Sequence, residues 1–150
     1  MLSRTPAGLD EINHVFGNLS DTFEATHIVA FDLPFGLLYG SMVVKRTRCH
    51  RLLVENFQSV FEAIEKEGLQ DMVMHYAGIY AARAIRGQTM HASTHSWGIA
   101  IDLEPAEYPL GSLKRFHKRI TTLFHDAGFF YGGDFQSRKD PMHFQFATHY

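Results

Sequence analysis

His95 and Asp102 stand in Ser93-Thr94-His95-Ser96-Trp97-Gly98-Ile99-Ala100-Ile101-Asp102-Leu103, and a second imidazole, His143, follows in Asp140-Pro141-Met142-His143-Phe144-Gln145-Phe146. Ile99, Ile101 and Leu103 alternate with Ala100 and Asp102, so in an extended chain the large apolar side chains face a core and Asp102 points the other way. Met142, Phe144 and Phe146 alternate with His143 and Gln145 in the same manner. If the two strands are neighbours, Asp102 and His143 lie side by side, and a turn at Gly98 lets His95 fold back over that face. Two imidazoles and one carboxylate around one point make a tetrahedral metal site with its fourth position open, as in a catalytic zinc centre. Spacing alone leaves a second reading open, in which the three residues simply satisfy one another's hydrogen bonds. His-x6-Asp with a distant His is far less distinctive than a His-Glu-x-x-His helix.

The elements that must position these residues follow from periodicity. Residues 8–19 carry Leu9, Ile12, Val15 and Phe16 at helical spacing and predict a short helix ended by Gly17. Residues 23–38 read as strand, interrupted at Asp32-Leu33-Pro34; Phe31, Phe35 and Tyr39 are read as packing in preference to a substrate groove. Residues 50–67 place Leu53, Phe57, Val60, Phe61 and Ile64 on one stripe of an amphipathic helix stopped by Gly68. Residues 71–85 are apolar and β-prone and would carry Arg83 to the edge of the site, where a guanidinium can bind a peptide carboxylate or carbonyl in bidentate fashion. Arg86 could do the same. Residues 87–92 read as a loop, with His91 on the rim as a competitor for a ligand role. Residues 104–111 form a second loop by their prolines, in which Glu107 and Tyr108 could line the cleft. Ser112 is the expected N-cap of a helix through Ala127, and residues 129–131 a strand before the tight turn at Gly132-Gly133. This order of elements predicts an α+β domain, with helices packed on one side of an antiparallel sheet.

Composition bounds the setting. At 150 residues the chain is expected to form one domain, residues 1–150, burying roughly two thirds of its unfolded surface without cross-links. A single cysteine, Cys49, excludes an internal disulfide, and a net charge of −2 gives no nucleic-acid surface. No stretch approaches the roughly twenty apolar residues of a membrane helix. Met1-Leu2-Ser3-Arg4 has a charge with no apolar run behind it, so no secretory signal is expected and the chain should remain in the cytoplasm where it is made.

Ser93-x-His95-x-x-Gly98-x-Ala100-x-Asp102, then Asp140-x-x-His143, with Tyr80-Ala-Ala-Arg83-Ala-Ile-Arg86-Gly87 upstream, resembles the M15 group of zinc peptidases over residues 78–146. That group includes D-alanyl-D-alanine carboxypeptidases, D,D-dipeptidases and the L-alanyl-D-glutamate endopeptidases of phage lysins. Trp97 and Gly132-Gly133 most resemble the lysin- and carboxypeptidase-like branch. The resemblance implies a Hedgehog/DD-peptidase-like fold and one Zn2+ held by His95, Asp102 and His143. It further implies Asp140 as general base, Arg83 on the substrate or transition state, and Ser93 as a support behind the ligands; Arg86, Ser93 and Trp97 are candidates for contact with substrate. The implied substrate is the stem peptide of peptidoglycan, cut by a monomer at L-Ala–D-Glu after a holin has released it. D-Ala–D-Ala carboxypeptidase action is the alternative. A rival of another class is a non-catalytic, zinc-stabilised binding module, as in Hedgehog domains; Asp140 and Arg83 argue against it, since a structural site needs neither. Glu104 stands where Asn is common, Phe135 where Trp often is, and Gln145 where Glu is usual, yet none of the three is a ligand.

Overall fold

Alternation over residues 28–50 builds a hairpin. In the computed structural model, which describes the chain apart from residues 83, 86 and 87 and gives only the backbone of 84, 85 and 88–90, β1 (Ile28–Tyr39) pairs antiparallel with β2 (Met42–His50). The register shifts between Asp32 and Leu37, around Pro34, which has no N–H to give to a ladder. The break expected at this point is therefore present. The strand, however, starts later than its pattern predicts, because residues Phe23–His27 form a helical turn, α2. Its Phe23 is buried against the rings of His27 and His50, a tertiary contact that local alternation could not reveal.

Helix α1 (Gly8–Phe16) buries Ile12 and Phe16 and ends at Gly17, as its spacing predicts. A 3₁₀ turn (Arg51–Leu53) leads into α3 (Val54–Lys66), whose stripe of Phe57, Val60, Phe61 and Ile64 is buried. Phe57 stacks on Phe31 at 6.0 Å and Phe61 meets Phe35 at 5.8 Å, so these β1 aromatics are packing, while Tyr39 lies exposed near the hairpin tip. Truncating a ring such as Phe57 typically costs about 3–5 kcal/mol.

Three expectations need correction. Residues 71–85 do not form one strand: a 3₁₀ turn (Gln70–Met72) precedes single bridges from His75 to Leu38 and from Tyr76 to Leu103, and among the described residues of the segment only Ala84–Ile85 is strand, β3. The segment is divided because each of its bridges goes to a different partner. Residues 88–92, expected in a loop, form β4 (Gln88–Ala92), antiparallel to β3. The helix expected from Ser112 begins only at Lys118 as α4 (Lys118–Asp126), capped by His117, whose Nδ1 accepts from the Arg119 N–H. Leu113 is exposed, and the Phe116 N–H donates to the Tyr131 hydroxyl instead of to a helix carbonyl.

The last sheet carries the site. β7 (His143–Gln145) runs between β5 (Ala100–Asp102) and β6 (Phe130–Tyr131), antiparallel to both. Phe144 of β7 stacks on Phe124 of α4 at 4.1 Å and on Tyr131 at 5.0 Å, pinning the central strand to the core. The fold is thus mixed α and antiparallel β, as expected, with the strands of the described residues distributed over three small sheets. No helix among the described residues is long and apolar enough to cross a membrane.

His50, at the end of β2, is fully buried: Nε2–H donates to the Phe16 carbonyl at 2.8 Å and Nδ1 accepts from the Leu52 N–H at 3.2 Å. Only the neutral ring satisfies both bonds, and burial, with His27 and Arg51 nearby, lowers its pKa to about 4 despite the Phe16 carbonyl. The unfolded chain therefore binds a proton that the folded chain refuses between about pH 6.5 and 4. Stability from this group is complete above 6.5 and lost as pH falls toward 4, on the order of 3 kcal/mol in all. Urea unfolding of wild type and His50→Gln should accordingly show a stability difference that shrinks toward pH 4; a difference constant over that window would refute the assignment.

Candidate metal centre

His95 is presented by a 3₁₀ turn (Thr94–Trp97) that precedes β5. Ser93 caps this turn, its hydroxyl accepting from the His95 N–H at 3.3 Å. Gly98 closes it at φ 69°, and a Cβ there would lie 2.8 Å from the His50 nitrogen, so both conformation and space require glycine. The His95 ring is oriented from behind, Nδ1–H donating to the Ile79 carbonyl at 2.7 Å, which leaves the Nε2 lone pair facing inward. That nitrogen is buried and makes no hydrogen bond, although Asp102 Oδ2 lies 3.2 Å away.

The register of β5 on β7 pairs Asp102 directly with His143. His143 Nδ1 meets Asp102 Oδ1 at 2.8 Å, and the two imidazole centroids are 5.1 Å apart. His95, Asp102 and His143 are all buried, and one ligand atom from each falls within 4.8 Å of the others. Ligands about 2.0–2.1 Å from a tetrahedral zinc sit about 3.3 Å from one another, so a set spread over up to 4.8 Å would draw closer to hold a cation. An inward lone pair with no hydrogen bond, a carboxylate and a second imidazole are a donor set that fits a borderline metal.

Burial pushes the Asp102 carboxyl up, but the hydrogen bond and charge of His143, with His95 beside the other oxygen, outweigh it and hold the group well below the usual carboxylate range. Burial likewise pushes His143 down, and Asp102, then Asp140 and Gln145, reverse this and raise it. A metal arriving here would displace a proton, as is general for imidazole sites.

Asp140 stands at the rim. The His143 N–H donates to the Asp140 carbonyl at 3.0 Å, closing the turn in which Pro141 takes the second position, as the sequence predicts. Its carboxylate Oδ2 comes within 4.0 Å of His143 Nδ1. Two further bonds hold the turn: the Asp140 N–H to the Gly132 carbonyl at 3.0 Å, and the Tyr131 hydroxyl to the Pro141 carbonyl at 2.9 Å. A Cβ on Gly132 would come within 2.3 Å of the Asp140 carbonyl, which is why no side chain fits there.

The other expected residues are placed differently. Trp97 is buried, its indole N–H donating to the Gly17 carbonyl at 3.0 Å and its ring edge-on to Tyr150. These contacts consume its surface, so it ties the site to α1 in place of the substrate contact expected of it. Ser93 serves the backbone of His95. His91 is exposed. Arg83 and Arg86 lie outside the described residues. Glu104 adopts φ 51°, a left-handed conformation in which Asn would sit easily, and its carboxylate accepts from the backbone and ring of His75, anchoring the Tyr76–Leu103 bridge. Phe135 stacks on Phe130 beside the His143 ring.

Thr94 and Gln145 had no assigned role in the sequence, and both are buried against His143. For Gln145 a signal existed, since alternation already set it on the face of His143.

The sequence model of a family described as D-alanyl-D-alanine carboxypeptidase matches residues 86–146, a span that holds the three candidate ligands and Asp140. The match supports an M15 family peptidase. No curated protein matches the chain. M15 peptidases are metallopeptidases, and the α+β architecture is consistent with their fold.

If His95, Asp102 and His143 form an M15-type metal site, Asp102→Asn should weaken zinc binding by more than about a hundredfold, since losing even an outer partner of a ligand typically costs 10–100-fold. Zinc at about a thousand times the wild-type Kd should stabilise the wild type by about 4 kcal/mol and Asp102→Asn by no more than about 1.4 kcal/mol in thermal unfolding. Equal shifts in both proteins would rule the site out.

Proposed function

We propose that the chain is a zinc-dependent peptidase that hydrolyses an amide bond in peptidoglycan stem peptides, in the first instance the L-Ala–D-Glu bond. The observation that carries this reading is the carboxylate of Asp140 held 4.0 Å from His143 beside a buried His–Asp–His set. A binding module or a purely structural metal site needs no ionisable group aimed at the ligands from a turn fixed on both flanks.

Zinc, when bound, supplies Lewis-acid polarisation of the scissile carbonyl and brings the pKa of a water toward neutrality. The remaining work falls to side chains. Asp140 takes one proton from the attacking water and passes it to the leaving amine, so that the C–N bond breaks with no net change in the protonation of the enzyme. Asp102 stays ionised between the two neutral imidazoles and, as the anionic member of the set, offsets part of the charge of a bound cation. Arg83, by its resemblance to the family pattern, binds a substrate carboxylate or the developing oxyanion.

D-Ala–D-Ala carboxypeptidase action is the second reading, favoured by the description of the matching family. In that case the substrate ends at the cleaved residue and the site must also bind its terminal carboxylate.

Two measurements test the proposal. Asp140→Ala should retain zinc and lose turnover by about 10²–10⁴-fold, the usual contribution of a general acid–base group; equal loss of zinc and turnover would remove its role as base. Mass spectrometry of peptidoglycan fragments after incubation with zinc-loaded protein should show new termini at L-Ala and D-Glu that are missing with chelator. Release of a single D-Ala would establish the carboxypeptidase instead, and fragments left intact across several wall chemistries would favour a binding module.

A further inference from the structure

We infer that Gln145 is a positioning residue of the metal centre: its carboxamide fixes which nitrogen of His143 is presented beside Asp102. The inference rests on the metal reading above and deepens it. His143 is held at both ring nitrogens, Nδ1 by Asp102 Oδ1 at 2.8 Å and Nε2 by Gln145 Oε1 at 2.9 Å. A carboxamide has one accepting end and one donating end, and here the network assigns both. The donating end, Nε2, gives its protons to the carbonyls of Ala147 and Tyr150, each at 3.2 Å. Those carbonyls only accept, so turning the amide over would set oxygen against oxygen. The accepting end is therefore committed to the side of His143, where the Thr94 hydroxyl also donates to it at 3.0 Å.

An acceptor fixed in this place must be met by an N–H, so His143 carries a proton on Nε2 and offers Nδ1 as the metal-facing nitrogen. His95 is fixed the opposite way, with its Nδ1–H on the Ile79 carbonyl and Nε2 inward. Each ring has its outer nitrogen occupied by an oxygen acceptor, the arrangement that orients metal-bound histidines generally. The same contacts account for Gln at a position where Glu is usual. A carboxylate would accept from His143 equally well but would present its second oxygen to the Ala147 and Tyr150 carbonyls, whereas the amide satisfies both sides. Gln145 thereby couples the chain's last residues to the metal site.

The test measures zinc affinity by chelator competition in wild type, Gln145→Leu and Gln145→Glu, together with long-range ¹H–¹⁵N spectra of the zinc-loaded wild type. Gln145→Leu should bind zinc about 10–100-fold more weakly. Gln145→Glu, which keeps the acceptor and loses the hold on residues 147 and 150, should recover most of that affinity. The wild-type spectrum should show the His143 proton on Nε2 and the metal on Nδ1, a readout that does not depend on whether Gln145→Leu folds. Metal on Nε2, or a folded Gln145→Leu with wild-type affinity, would overturn this inference alone. A wild type that takes up no zinc would overturn the metal reading and this inference together.

Discussion

The cross-strand pair of Asp102 and His143 is the constraint on which the rest of the site depends. Side chains alternate along a strand, so a slip of one residue between β5 and β7 would turn Asp102 toward the core and bring an apolar residue to the site. Each strand spans only three residues, too few for the ladder alone to hold the register. The packing of Phe144 on Phe124 and Tyr131, and the burial of Ile99, Ile101 and Phe146, penalise the slip and hold the pair in place.

A carboxylate buried in such a core is costly unless it is paired. Here His143 pairs with one oxygen of Asp102 at 2.8 Å and His95 Nε2 lies 3.2 Å from the other, so the contacts around the buried carboxylate also bring together three side chains that could hold a metal. The three candidate ligands are gathered at one place, and their outer contacts come from distant parts of the chain: Ile79 for His95, Gln145 and Thr94 for His143, and Tyr131 for the turn that carries Asp140.

The family match covers less than half of the chain, yet the unmatched half is tied into the same structure. Trp97, two residues from His95, bonds to the end of α1, and the Gly98 carbonyl accepts from the backbone N–H of His50. The buried neutral ring of His50 in turn joins β2, α1 and the 3₁₀ turn that leads into α3. The N-terminal segments thus form the floor against which the ligand loop is folded.

Period-two alternation around Asp102 and His143, helical stripes in residues 8–19 and 50–67, and the Asp140-Pro141 turn were legible in the sequence because each depends on neighbours a few residues away. The three candidate ligands, and the turn that lifts Asp140 toward them, could therefore be read directly, and the family pattern supplied their order. Local pattern failed where a distant partner outweighed it. Ser112 has the chemistry of a helix cap, but Phe116 stacks on Tyr108 and gives its N–H to Tyr131, so the helix starts later at His117. Residues 71–85 have strand composition, but their bridges go to two different partners and no continuous strand forms. The position of Trp97 beside His95 suits a substrate contact, but its buried indole donates to the Gly17 carbonyl instead. The sequence by itself determined which side chains could bind a metal; the tertiary structure decided which of their atoms face one another, because that depends on hydrogen-bond partners far away in the chain.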